Sequence, residues 1–246
     1  MCAIPSAILF SMSSGHRIVI AKRFCGPPDS GNGGYSSGLL ANKFSQHAEC
    51  TLRKPIPLER ELMIEARNGG GVLLDDREVV IECRVVEVEL ETRAPVNVSE
   101  AQQAAVNSPA MHDHPFPTCF TCGPLRAEGD GLRIFPGQLK GNDNLWAAPW
   151  IPNRALANGN GEVRPEFIWA AMDCPTGFAG GFPWAGKLVT GRLAVTQSKP
   201  VWAGEPYVIV SWPLGWDGRK SHAAAALYTS AGELCAQAKA TWIKLE

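Results

Sequence analysis

Asn32, Gly33 and Gly34 stand just before a stretch with helical apolar spacing, Tyr35, Leu39, Leu40 and Phe44. The first N–H groups of a helix have no intrahelical partner and lie at the positive dipole end. Glycine lets a ligand approach the backbone there, so Gly33 and Gly34 could stabilise a developing oxyanion. The alternative is that they only make a tight turn. A second apolar helical run, residues 167–172, ends on a carboxylate, Asp173, with Pro175 and Gly177 beyond it. The spacing predicts a helix that stops near Cys174. There Asp173 would face the unfavourable dipole end, and partial burial would raise its pKa, as suits a general base that activates water. It could instead be a solvated terminal residue or the partner of an arginine such as Arg192.

Other patterns offer different chemistry. Gly34-Tyr35-Ser36-Ser37-Gly38 matches the nucleophile elbow Gly-x-Ser-x-Gly, with Asp217 and His222 following in order. That motif needs a buried strand before the serine, and residues 26–33 are rich in Pro and Gly. His112, His114, Cys119 and Cys122 have donor types for tetrahedral zinc, but their Pro-rich surroundings equally suit a linker entering a strand. The site read here therefore includes no metal. Cys25 and Cys174 are read as small buried residues rather than reactive thiols.

The elements that must position these residues fall into two runs. Residues 26–34 are turn-rich, a helix follows to about Phe44, and strand patterns occupy 50–65, 71–74 and 77–92. Residues 95–118 read as a linker with a short helix near 99–106. The pattern then restarts: broken strands over 131–150, a turn-rich stretch at 159–165, a helix, and strands near 187–198, 205–213, 222–230 and 233–245. The runs align as a repeat. Tyr35 to Ala41 falls on Phe167 to Asp173, Lys54-Pro55-Ile56 on Lys199-Pro200-Val201, and Glu78 to Leu90 on Glu233 to Leu245. Gly33 then falls on Pro165, which has no N–H to donate, and Asp173 on Ala41, which has no carboxylate. Each copy lacks what the other keeps.

Composition agrees with a folded chain. The 246 residues are 45% hydrophobic and 19% charged, with a formal net charge of −1, which supports neither a nucleic-acid nor an anionic-membrane partner. No run approaches the ~20 apolar residues of a membrane helix. Residues 1–10 are apolar but short and lack a basic leading region, a poor secretion signal. The eight scattered cysteines are accordingly expected as reduced thiols in the cytoplasm. All eight tryptophans lie at or beyond Trp146, so the copies have diverged.

One helix wrapped by an antiparallel sheet resembles the hotdog fold. Asn32-Gly33-Gly34-Tyr35 followed by Leu39-Leu40-Ala41 resembles the start of the hotdog helix in acyl-CoA thioesterases. Cys119-Phe120-Thr121-Cys122-Gly123 with Gly131-Leu132-Arg133 resembles the opening of another such unit. The whole is similar to the tandem (double) hotdog acyl-CoA thioesterases. That resemblance implies an α+β fold of two hotdog units, 1–94 and 119–246 joined by the linker 95–118. Each would be a long central helix wrapped by an antiparallel sheet, the two forming a pseudo-dimer. It implies a thioester hydrolase with one composite site, Gly33 and Gly34 facing Asp173, and one dead pseudo-site. Asn32 would position the acyl carbonyl or a water, and Thr176 matches a hydroxyl residue sometimes found beyond the acid. Tyr35, Trp169, Thr190, Arg192 and Thr196 are the expected substrate-binding residues. The family's glutamine in the last strand is missing: Ala240 or a neighbour stands there, and Gln237 is out of register. The expected partner is an acyl-CoA or other thioester, with CoA part of the substrate and no cofactor. A homodimer of such chains is compatible with this. Lys187, Arg192, Arg219 and Lys220 could meet the CoA phosphates or form solvated faces. Hotdog folds also host dehydratases, whose Gly-Asp-x-Asn-Pro loop is absent here, and non-catalytic acyl binders, which would not need Asp173.

Overall fold

A computed structural model describes residues 16–112, 114–182 and 184–246; the apolar residues 1–10 and Cys2 lie outside them. Strand β2 (His47–Leu52) pairs antiparallel with β8 (Leu188–Gln197), placing Cys50 opposite Leu193, and this seam joins two sets of strands into one sheet. On one side of β2 lie β5 (Glu78–Val85), β4 (Gly70–Asp75), β3 (Glu61–Arg67) and β1 (His16–Val19). On the other side of β8 lie β11 (Leu234–Lys244), β10 (Lys220–Thr229), β9 (Tyr207–Asp217), β7 (Asn142–Trp150) and the short β6 (Gly137–Leu139). The eleven strands follow the order β1-β3-β4-β5-β2-β8-β11-β10-β9-β7-β6. From the seam outward, both sides repeat one sequence-order pattern.

The repeat reaches into the irregular segments. A 3-10 turn at Lys22–Phe24 recurs at Arg154–Leu156, and the isolated bridge Cys25–Gly31 recurs as Ala157–Val163, each 132 positions on. Gly31 N–H donates to the Ile56 carbonyl at 2.9 Å, and Val163 N–H to the Val201 carbonyl at 2.7 Å. These equivalences match the sequence alignment before and after each helix.

Helices α1 (Gly33–Ala41) and α3 (Pro165–Ala179) pack together on one face of the sheet. Neither is the long central helix expected: they have nine and fifteen residues. Three glycines and two serines make α1 a weak intrinsic helix former, so its packing rather than its propensity holds it. Those small residues let α3 approach very closely. A Cβ on Gly38 would lie 2.6 Å from Glu166 Cα, and one on Gly34 would lie 2.5 Å from the Trp169 carbonyl oxygen. The predicted stop of α3 near Cys174 is also corrected, because the helix continues through Pro175 to Ala179. A proline inside a helix costs about 3 kcal/mol. Fourteen of the fifteen residues are buried, and that burial carries the last turn.

The opposite sheet face is covered in part by α2 (Val98–Val106), which lies in the expected linker. Its Asn97–Glu100 capping box fixes its start, and Ala101 and Ala104 pack against Ala147, Val208, Val210 and Trp212. Among the described residues no helix is long and apolar enough to cross a membrane.

Candidate active site

Asn32 stops the extended chain before α1 and caps it, its Oδ1 accepting the Tyr35 N–H at 2.9 Å. Gly34 N–H donates to Asp173 Oδ2 at 2.8 Å. Gly33 N–H has no acceptor among the described residues. The other carboxylate oxygen, Asp173 Oδ1, accepts the Thr190 hydroxyl of β8 at 2.8 Å. One carboxylate on α3 is thus held by the N-terminus of α1 and by β8. This cluster opens on a cavity of about 510 Å³, whose apolar wall includes Leu52, Phe116, Phe178, Phe182, Leu188 and Trp242. Asn32, Gly33, Asp173 and Thr190 line the same cavity.

Asp173 is 1% exposed, and burial pushes its pKa up from 3.8 to about 7. The Gly34 N–H and Thr190 hydroxyl pull it down, and negative charge on Cys119 pushes it up. The helix-end dipole expected from sequence plays no part, since Asp173 sits mid-helix and faces the positive end of α1.

This raised carboxylate has a consequence for stability. Between 3.8 and about 7 the folded chain keeps a proton that the unfolded chain has lost. Stability therefore falls as pH climbs through that window and levels off above it. Asp173→Asn removes the penalty. The variant is expected to gain on the wild type by a few kcal/mol on going from about pH 4 to about pH 8. Urea denaturation of chelator-treated protein checks this, and a stability difference that is the same at both pH values would refute it.

The structure brings together Gly33, Gly34, Asn32, Asp173 and Thr190 and separates the rest. Gly34 is not a free oxyanion donor: its N–H is taken by Asp173, and its missing side chain serves the contact with α3. Thr176 is turned away. Its hydroxyl donates to the Asp173 carbonyl at 2.6 Å and accepts the Trp242 indole N–H at 2.8 Å, a structural role. Tyr35 is buried and stacked on Phe24 at 4.0 Å between ring centres, outside the cavity wall. Trp169 is buried where α3 meets Gly38. Arg192 reaches Thr51 at 3.2 Å and Glu49 at 3.7 Å across the β2–β8 seam, and so is not the partner of Asp173. Thr196 accepts the Val88 N–H while Gln237, opposite it, donates to the Val88 carbonyl; both anchor the chain after β5. On β11 the residue opposite Thr190 is Trp242, which lines the cavity, and Ala240, at or beside the place where the resemblance implies a glutamine, stands opposite Leu193. Of the tryptophans, Trp184, Trp202 and Trp216 are exposed and the other five buried.

The serine elbow does not form. Ser36 lies buried within α1 with no hydrogen-bond partner, and His222 sits on β10 beside Thr241. Sequence reasoning missed that Cys174, next to Asp173, joins Cys119 and Cys122, their three Sγ atoms within 4.8 Å of one another.

The architecture is a thioesterase hotdog-like fold, one large antiparallel sheet with few helices. In particular, it is the fold of TesB-type acyl-CoA thioesterase structures. The TesB protein of Mycobacterium avium subsp. paratuberculosis is similar at 10% identity and TM-score 0.59, with 89% of each chain covered. Acyl-CoA thioesterase II TesB2 from Mycobacterium marinum matches at 12% identity and TM-score 0.59, covering 92% of this chain and 91% of that one. A thioesterase-like protein from Novosphingobium aromaticivorans matches at 13% identity and TM-score 0.60, covering 94% and 95%. At such identities the likeness carries the fold. No family model matches the sequence. No curated protein matches it significantly.

Proposed function

We propose that this protein is a thioester hydrolase acting on an acyl-CoA or related acyl or aryl thioester, with Asp173 as general base. The observation that carries the reading is a buried carboxylate, fixed by two hydrogen bonds, on the wall of a largely apolar cavity. In this reading Asp173 takes a proton from a water molecule, and the resulting hydroxide attacks the thioester carbonyl carbon. Gly33 N–H, the uncommitted donor, steadies the oxyanion; the C–S bond then breaks and the thiolate leaves, taking the proton that Asp173 accepted from water. Asn32 holds the start of α1 in place. The two copies act as hotdog units, 1–94 and 119–246 around the connector 95–118, fused into a pseudo-dimer with one competent site. Gly33 comes from the first unit and Asp173 from the second. The seven described cysteines are all free, which fits a cytoplasmic protein.

A panel of acyl-CoAs from short to long and aromatic, read by free-thiol release, tests the activity; no release from any of them would sink it. Thr190→Val removes the hydroxyl donor to Asp173 Oδ1. We expect kcat to drop by roughly 10-fold and the acid limb of the pH–rate profile to move up, since a donor that favours the ionised carboxylate is lost. A profile that stays in place would remove Thr190 from the mechanism.

One observation favours a second reading, a non-catalytic acyl binder: β11 offers Trp242, not a proton-handling side chain, opposite Thr190. Binding of a non-hydrolysable acyl-CoA analogue without turnover of any true thioester would support that reading.

A further inference from the structure

Beside Asp173 lies a cluster that the hydrolase reading does not use. Cys119 and Cys122 come from the irregular segment before β6, and Cys174 from the middle of α3. All three are buried, and their Sγ atoms lie within 4.8 Å of one another. Cys119 Sγ is 3.7 Å from Cys174 Sγ. Thiolates bound tetrahedrally to zinc at ~2.3 Å stand about 3.8 Å apart, so this spacing is that of two ligands of one ion.

The groups around the sulfurs suit thiolates. A side-chain amide faces Cys119 Sγ: Asn32 Nδ2 approaches this sulfur at 3.8 Å. His114 Nε2 lies 3.1 Å from Cys122 Sγ. Its other ring nitrogen, Nδ1, accepts the Phe116 N–H at 3.0 Å, so in the neutral ring the proton is on Nε2 and is donated to sulfur. His114 is therefore a donor to a ligand rather than a ligand itself. Such outer hydrogen bonds offset the charge that three thiolates leave on a divalent ion. The segment is tied down at both ends of the turn, Gly123 N–H donating to the Cys119 carbonyl at 2.9 Å and Phe120 N–H to the Cys25 carbonyl at 2.7 Å.

We propose that Cys119, Cys122 and Cys174 form a binding site for one thiophilic divalent cation, zinc, with the fourth coordination position opening on the cavity. The three cysteines line that cavity, so water completes the tetrahedron from its side. Binding converts three thiols to thiolates and releases their protons to solvent. The donor set differs from the His-Cys pattern visible in sequence: His112 is exposed and takes no part, and Cys174 enters from 52 positions beyond Cys122.

The test reads metal, not activity, and so stands apart from the hydrolase reading. The 246-residue chain, purified without chelator from zinc-supplemented culture, is expected to carry about one zinc per chain by plasma mass spectrometry. Cys174→Ser should lose it, Cys235→Ser should retain it, and His114→Ala should weaken zinc affinity roughly 10–100-fold. Because Cys174 is buried, folding of its variant is checked by circular dichroism, and a further measurement uses no variant. Metal-stripped wild type titrated with Co²⁺ is expected to develop a thiolate-to-cobalt charge-transfer band with tetrahedral d–d absorption. Under about a tenth of an equivalent of zinc with no charge-transfer band overturns the proposal. So does a Cys119–Cys122 disulfide in protein purified under reducing conditions, or full zinc retention by a folded Cys174→Ser.

Discussion

Asp173→Asn is expected to lower kcat for thioester hydrolysis by at least about 100-fold while the folded structure persists. General-base catalysis by a positioned side chain contributes typically ~10²–10⁴-fold. Asparagine has nearly the same shape as aspartate. Its carbonyl oxygen can still accept the Gly34 N–H, and the Thr190 hydroxyl, which now donates to Oδ1, can turn to accept from the amide. What disappears is the ability to take a proton. The loss should therefore fall on kcat, with KM changing little, because no group that holds the acyl chain has been altered. A free-thiol assay and a thermal melt on the same preparation separate this from unfolding. An unchanged rate in a folded variant would remove Asp173 from the chemistry and leave the hydrolase reading without its general base.

The pairing that prediction depends on was legible in the sequence for a specific reason. The repeat set Gly33 against Pro165 and Asp173 against Ala41, so the missing donor and the missing acid pointed to one shared site. The structure joins those two places by a 2.8 Å hydrogen bond, though from Gly34 rather than Gly33. One position along a helix rotates the N–H by ~100°, and sequence spacing does not resolve that. The strands were legible too, because alternation on β5 and the turn residues between strands are local signals.

The side chains around the acid were not legible. Fourteen residues of α3 are buried, so the helix has no polar face to show which side meets the cavity. The contacts of Trp169 with Gly38 and of Thr176 with Trp242 could not be read for that reason. The contacts of Arg192 and Thr196 were not legible because β8 lies at the seam, where its neighbours come from both halves of the chain. Cys174 was overlooked because its partners lie in a segment without regular structure, where no period marks a face.

The other large effect concerns the contact that makes the site possible. Gly38→Ala is expected to destabilise the protein by about 3 kcal/mol, even though the same change inside an exposed helix would stabilise it by about 1 kcal/mol. The deciding quantity is what the new methyl group meets. A Cβ at Gly38 would lie 2.6 Å from Glu166 Cα and 2.8 Å from Trp169 Cβ. Those atoms belong to the backbone and inner side chain of a buried helix, and they cannot yield by a rotamer change. The propensity gain is smaller than the cost of separating the helices, so the sign reverses. Gly34→Ala adds a second consequence. Its Cβ would lie 2.6 Å from Asp173 Cβ, so relieving the clash must move the carboxylate off the N–H that holds it, and activity should fall together with stability. Gly159→Ala is the control, because nothing lies within 4 Å of a Cβ there, and it should stay within ~0.5 kcal/mol of the wild type. At this chain length the Gly38→Ala change corresponds to a fall in Tm of roughly 6–12 °C. If Gly38→Ala melts with Gly159→Ala, α1 and α3 are not in the close contact that sets Gly34 against Asp173. The hydrogen bond between the two copies then loses its structural basis, and with it the single composite site.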